Sequence, residues 1–355
     1  MKFDVTIIGA GPSGLAVAIC CAEVGLKVCV LERAVFPREC VGESAHPGVE
    51  ALFSRLGIAS AVADAGFERY TGIRVIRGDK ESLDSFGGSR RKPWKGFHLW
   101  RPDFDQILMN RAKGLGVVCF EQCGRSEVDV GNRKVSVKTR LGAIDSQFVV
   151  DATGRNRWIA RQLGLKTRTC SGPLIARYGY RRGLSRMCRE TPLFVQRSDG
   201  WDWIAQVRVD LFQWILLRHG QCRTGPQALP DWLVELGEEQ PSRGADVTWR
   251  FVQECAGRRY FLVGDACSVI DPSASHGILK ALSSGILAAN CIHKILQGEF
   301  ADQDKIASGY IAWQWKWFQR DALRLRELRG IDDVDDTGRD VAGRAARIGE
   351  VSFRM

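Results

Sequence analysis

The chain has 355 residues, 45% hydrophobic and 26% charged, with a formal net charge of +10. That composition belongs to a globular protein long enough for two structural units. No apolar run reaches the length of a membrane span, and the N-terminal "FDVTIIGAG" reads as a strand rather than a signal peptide, so the expectation is a soluble cytoplasmic protein. The 12 cysteines are scattered without a CxxC pair, which disfavours a metal site. Those inside apolar runs, such as Cys29 and Cys119, read as small hydrophobes in a reducing compartment. Arg and Lys are spread along the chain, with only "SRRKPWKG" dense, so the charge points to anionic cofactors or an acidic partner rather than nucleic acid.

Residues 4–33 read strand, tight turn, helix, strand. The turn Gly9-Ala10-Gly11-Pro12-Ser13-Gly14 follows a buried strand directly. Gly9 permits the turn, Gly11 lets a pyrophosphate approach the backbone, and Gly14 lets the helix pack on the sheet. Glu32, followed by Arg33, ends the second strand about 20 residues on, where a carboxylate accepts hydrogen bonds from ribose hydroxyls. NAD and FAD fit this half equally.

Next in order come "LERAVFPRECVGES", "HLWRPDFDQILMNRA" and "FVVDATGRNR". Residues 73–96 and 168–247 read as strands and turns. Among them "GWDWIAQVRV" places Trp201 and Trp203 on one face with Ala205 and Val207, because side chains alternate along a strand. Two indoles there are either sheet core or the wall of a pocket for a flat molecule. Further on, "YFLVGDA" ends a strand in Gly-Asp, "DPSASHG" is a turn, and a helix rich in small residues follows. Ala281, Ser284, Gly285, Ala288 and Ala289 let that helix lie close against another element. In the last helix Ile311, Trp315, Phe318, Ala322 and Leu325 form an apolar stripe. Trp313 and Trp317 share a different face, either buried or an exposed docking patch rimmed by Lys316 and Arg320.

From residue 3 to about 298, these motifs in this order resemble the FAD-dependent monooxygenase superfamily. It includes para-hydroxybenzoate-hydroxylase-type enzymes, flavin-dependent halogenases and geranylgeranyl-reductase-like proteins. The resemblance implies an α/β fold: a Rossmann-type FAD domain assembled from 1–72, 97–167 and 248–300, an antiparallel substrate sheet from 73–96 and 168–247, and a helical segment with tail at 301–355. It places Asp265 on the ribityl chain and the turn Pro272 to Ile278, with Gly277, beside the isoalloxazine. Arg38 would meet the pyrophosphate, Gly42, Glu43 and Ser44 would pass close to the flavin, and Arg101 would contact FAD. The "ATG" strand end would back the adenine side. No metal is implied.

The resemblance leads to hydroxylation of an aromatic ring: reduced FAD takes up O₂ at C4a and passes OH to a ring held in a dry, roofed pocket. His276 in the flavin-side turn and His46 after the "GES" loop are the proton-shuttle candidates. "CVGESAHPGV" and "DPSASHGILKALSSG" resemble flavoproteins that modify a tryptophan in a partner oxidase or dehydrogenase precursor during cysteine tryptophylquinone biogenesis, which implies a protein substrate. A small-molecule hydroxylase is the alternative, and so is a halogenase. "GWDWIAQ" copies the first half of the halogenases' GWxWxIP motif but has Ala205 and Gln206 for Ile and Pro, and Tyr70 stands near where their lysine falls. A geranylgeranyl-reductase-like activity comes third. Non-enzymatic scaffold or binding roles are disfavoured by intact Gly9, Gly11, Gly14, Glu32 and Asp265. No second GxGxxG is visible for a nicotinamide, so electrons come from transiently bound NAD(P)H or from a separate flavin reductase.

Overall fold

A computed structural model describes residues 1–41, 44–183, 191–219, 230, 237–238, 242–298 and 302–329. The tail after residue 329 and the loop residues Gly42 and Glu43 lie outside them. Two eight-stranded sheets carry the molecule. In the first, Val118–Phe120, Val28–Leu31, Lys2–Ile8, the far end of Gly142–Asp151, and Tyr260–Leu262 run parallel in that order. An antiparallel hairpin, Arg125–Val130 and Val135–Thr139, extends from the near end of Gly142–Asp151, and Ala256–Gly257 pairs with Tyr260–Leu262. Val5, Ile7, Ile8, Val28, Val30 and Leu31 are almost wholly shielded, as a parallel sheet covered on both faces requires. Ile8 pairs with both Leu31 and Asp151, so three strand ends stop level and leave a crevice at their carboxyl edge.

Two helices set the depth of that crevice. Pro12–Glu23 starts immediately after the first strand, with Pro12 at a position where its missing N–H costs nothing. Gly277–Leu296 crosses it at short range: a Cβ at Gly285 would lie 2.4 Å from the Ser13 carbonyl oxygen. The small residues of that helix are thus spent on one close helix contact.

The second sheet is a roof. Its order is Gly237–Glu238, Leu174–Arg182, Leu211–His219, Gly200–Arg208, Leu193–Arg197, Gly72–Arg77 and Lys80–Ser85, with Arg243–Asp246 also on Leu174–Arg182. It is antiparallel except where Leu193–Arg197 meets Gly72–Arg77, two strands from distant stretches of chain that pair in parallel. The expected antiparallel sheet is thus present, with one parallel pairing in it. The two central strands sort their residues cleanly. Trp201, Trp203 and Ala205 face the flavin domain, while Ile204, Phe212, Trp214 and Leu216 form a separate cluster on the outer side. Asp202, between the indoles, points outward and is pinned by Arg197 and Arg218.

The last helix, Gln303–Arg329, packs Ala307, Tyr310, Phe318, Ala322 and Leu325 inward. Trp313 and Trp317 are half-buried, with ring centroids 5.7 Å apart, and the Trp317 ring is 6.1 Å from that of His276. That places Trp317 against the turn that carries His276, not on an exposed docking patch. Among the described residues no helix is long and apolar enough to cross a membrane.

Candidate active site

A cavity of about 660 Å³ opens at the carboxyl edge of the parallel strands and runs beneath the roof. Its floor is backbone. Gly9 has φ +103°, and a Cβ there would sit 2.5 Å from the Ala152 carbonyl oxygen, so only glycine makes the turn and the strand contact together. Gly14 lies behind the wall, its missing Cβ leaving room for the Gly9 carbonyl 2.1 Å away. Gly11 differs: a Cβ there would meet nothing nearer than the Arg38 guanidinium at 3.8 Å, so the space in front of it is open. Gly11, Pro12 and Ser13 line that space at the start of a helix, a ready anion site.

Glu32 and Arg33 line the same cavity. The Glu32 carboxylate is 6% exposed and accepts the Ala10 N–H at 2.8 Å and the Ala34 N–H at 3.0 Å, one on each oxygen. Each oxygen keeps a lone pair for a ribose hydroxyl. Arg38 donates to the Ala10 carbonyl and pairs with Asp105 at 3.3 Å, yet its buried Nε has no partner. Arg125, on the same cavity wall, likewise has a buried Nε without a partner, and burial lowers its pKa. Two guanidinium donors without partners on the wall of one cavity, Arg38 beside Gly11, fit an anionic dinucleotide. Arg101 lines the cavity too, but its fork is committed to Asp105 at 2.8 and 2.9 Å and to the Val41 carbonyl. The geometry fits it as a clamp on the loop that carries Arg38. Ala152, Thr153 and Gly154 complete this end.

At the other end stand Asp265, Pro272, Gly277 and Ile278, all on the cavity wall. Lys280, 5% exposed, bridges the Asp265 carboxylate at 3.3 Å and the Ser268 carbonyl at 2.6 Å. Asp271 is wholly shielded; it caps the short turn by accepting the Ser273 N–H and also accepts the Trp201 indole N–H at 3.3 Å. That bond ties the roof to the flavin-side turn.

His276 lines the cavity with its Nδ1 3.0 Å from an Asp321 oxygen, and Asp321 is itself 4% exposed. His46 does not line this cavity. Its Nδ1 accepts the Gly48 N–H at 3.1 Å, its ring meets His276 edge-on at 5.9 Å, and burial, then the charges of His276 and Arg324, lower its pKa. Of the two histidines only His276 faces the cofactor space. Ser44 also departs from expectation: it does not line the large cavity but bonds His98 at 3.2 Å and lines a second pocket.

That second pocket holds about 90 Å³ and shares Ile215, Pro272, Gly277 and Ile278 with the large cavity. Trp201 and Trp203, 3% and 5% exposed, form its roof. The indole pair is therefore both core and pocket wall. Arg125, Lys280, Asp271, Asp321 and Gln213 carry parts of this region that the sequence motifs did not single out. Asp271, Asp321 and Lys280 act through partners 70, 45 and 15 residues away, and such pairings leave no local spacing signal.

Residues 2–177 match the family model described as an FAD binding domain. The chain is 30% identical over 326 residues to tryptophan 2-halogenase from Chondromyces crocatus, a match covering 83% of this chain and 62% of that protein. It is 26% identical over 327 residues to 1H-pyrrole-2-carbonyl-[peptidyl-carrier protein] brominase from Pseudoalteromonas luteoviolacea, covering 84% and 79%. Among solved structures, the flavin-dependent halogenase CmlS superposes with a TM-score of 0.80 at 22% identity, over 90% of this chain and 63% of that one. The chain thus spans a little under two thirds of the first and the last of these. The relatives give no support to a role in tryptophylquinone biogenesis, and they favour halogenation over the hydroxylation that the motif departures pointed to. The cofactor is FAD, held by the FAD-binding domain that residues 2–177 match, and over most of its length the chain is similar to flavin-dependent halogenases.

Proposed function

We propose that this chain is a flavin-dependent halogenase acting on a small electron-rich aromatic ring. The observation that carries the reading is the pair of joined cavities, a dinucleotide-sized one and an indole-roofed one that share the turn Pro272 to Ile278. The halogenases among the relatives supply the reaction class. Bound FAD, once reduced and met by O₂, supplies the oxidising power. The protein holds it: Gly9, Gly11, Pro12, Ser13 and Arg38 for the pyrophosphate, Glu32 and Arg33 for the ribose, Asp265 for the ribityl chain, and Pro272, Gly277 and Ile278 beside the ring system.

Trp201 and Trp203 exclude water and hold the ring by stacking. Asp321 accepts a hydrogen bond from His276 Nδ1–H, which fixes the tautomer and leaves Nε2 to take or give a proton at the cavity wall. His276 is the acid–base residue of this reading, with Asp321 as its positioning residue. His46, neutral and turned to Gly48, supports the His276 ring.

Hydroxylation is the second reading, and one observation favours it. No lysine lines the indole-roofed pocket among the described residues. Tyr70 is shielded and stacked on His98 with centroids 4.1 Å apart, and Lys280 is engaged at Asp265 instead. Turnover of the FAD-loaded protein with bromide, O₂ and pyrrole-2-carboxamide, read by product mass, separates the two. Electrons are supplied in parallel by NADH, by NADPH and by a flavin reductase. A brominated product supports the halogenase; a hydroxylated product with bromide present replaces it with the monooxygenase.

A further inference from the structure

One polar side chain stands where apolar ones are expected. On the flavin-facing side of the two central roof strands, Trp201 pairs with Leu217, Trp203 with Ile215, and Ala205 with Gln213. Gln213 is 1% exposed, lines the small pocket, and has a buried amide nitrogen with no hydrogen-bond partner. A buried donor left unpaired is destabilising, because it has lost water and gained nothing in return. A fold gains nothing from it unless something else completes the bond. Opposite it, Ala205 is fully shielded and small, so the space beside the amide is not filled from across the strand.

The rest of the pocket says what completes it. The Trp201 N–H is already given to Asp271, so this indole offers its face and not its donor. Ser44 is engaged with His98. Among the described lining residues none is charged. A carboxylate would be buried there without a counter-charge, and with the Asp271 carboxylate already bonded to Trp201, at a cost far above what one amide bond returns.

We infer that Gln213 is the specificity-determining residue of this pocket, and that it selects a neutral aromatic ring bearing a hydrogen-bond acceptor such as an amide or ester carbonyl. Free amino acids, zwitterionic at neutral pH, are excluded by the same argument. The inference rests on the small pocket being the aromatic-substrate site, but not on which atom is transferred to the ring.

The test is equilibrium binding to the oxidised, FAD-loaded protein, followed by the flavin difference spectrum. The probes are pyrrole-2-carboxamide, pyrrole and pyrrole-2-carboxylate. The native protein is expected to bind the carboxamide about tenfold more tightly than pyrrole, the size of one neutral hydrogen bond, and the carboxylate no better than pyrrole. Gln213→Leu is expected to bring carboxamide and pyrrole within about twofold of each other without weakening pyrrole itself. If Gln213→Leu loses FAD, Gln213→Met, unbranched and closer in shape, takes its place. Equal binding of carboxamide and pyrrole to the native protein, a preference that survives loss of the amide, tighter binding of the carboxylate, or no binding of any probe would each overturn the inference. Because no turnover is needed, a failure to halogenate would defeat the proposed reaction and leave this result standing.

Discussion

The two joined cavities are built from different material. The FAD cavity is shaped by backbone: Gly9 in a conformation few other residues adopt, Gly14 and Gly285 at helix contacts too close for a Cβ, and a helix N-terminus aimed at the opening. The small pocket is shaped by side chains, chiefly two indoles and one amide, with Trp201 anchored by the Asp271 carboxylate outside the lining. Backbone shape at Gly9, Gly14 and Gly285 leaves no room for a side chain, whereas side-chain shape can be retuned without loss of the fold. On the proposed reading, a cofactor site made the first way and a substrate site made the second let one scaffold keep its chemistry and change its substrate.

Substitutions should divide along that line. The largest effect belongs to Gly14→Val. Its side chain would collide with the Gly9 carbonyl and the Ala152 methyl, and the expected outcome is loss of several kcal/mol of stability and no soluble folded protein. Gly11→Val is expected to fold, because its Cβ meets open space, yet to lose FAD affinity by about 100-fold or more, the weight of blocked phosphate contacts. Thermal melts of the apoprotein with flavin titration separate these outcomes. Retained FAD in a folded Gly11→Val protein would place the pyrophosphate elsewhere.

The same division decided what the sequence disclosed. The GxGxxG turn, Glu32 and the small-residue helix were legible because the physical demand falls on residue type at fixed spacing. Gly285 against Ser13 is the clearest case: a run of small residues announced a close contact before its partner was known. The pocket walls were half legible. The alternation of "WDW" put both indoles on one face, but nothing local told whether that face met solvent, core or ligand. Gln213 and Asp321 were not legible at all. Each is an unremarkable polar residue whose meaning comes from an opposite strand or a distant turn. The weight given to Ala205, Gln206 and Tyr70 led away from halogenation, whereas the relatives at 26–30% identity over most of this chain point towards it.

A smaller effect sharpens the boundary between the two sites. His98, beside Ser44 and stacked on Tyr70, is shielded, and burial lowers its pKa to about 3. The unfolded chain titrates it near 6.5, so between those values the unfolded state binds the extra proton. Stability is therefore full above pH 6.5 and falls with pH below it, by up to about 1.4 kcal/mol per pH unit from this one group. Denaturant melts from pH 7 to pH 4 should show this slope, and His98→Gln should flatten it even if the variant is less stable throughout. An unchanged slope would mean that other groups carry the acid sensitivity.

The smallest expected effect is that of Trp201→Phe. It keeps an aromatic roof and removes the bond to Asp271, at a cost of about 1 kcal/mol in stability, with FAD still bound. A loss of flavin in this variant would mean that the roof and the flavin-side turn are one unit and that the contrast drawn between them is too sharp.

The central claim is that FAD fills the large cavity with its ring system at the turn shared with the indole-roofed pocket. A crystal structure of the protein loaded with FAD and pyrrole-2-carboxamide tests it most directly. The account predicts the pyrophosphate at Gly11, the isoalloxazine against Pro272 to Ile278, and the pyrrole under Trp201 and Trp203 with its carbonyl on the Gln213 amide. An isoalloxazine turned away from that turn, or a pyrrole bound outside the indole roof, would contradict it.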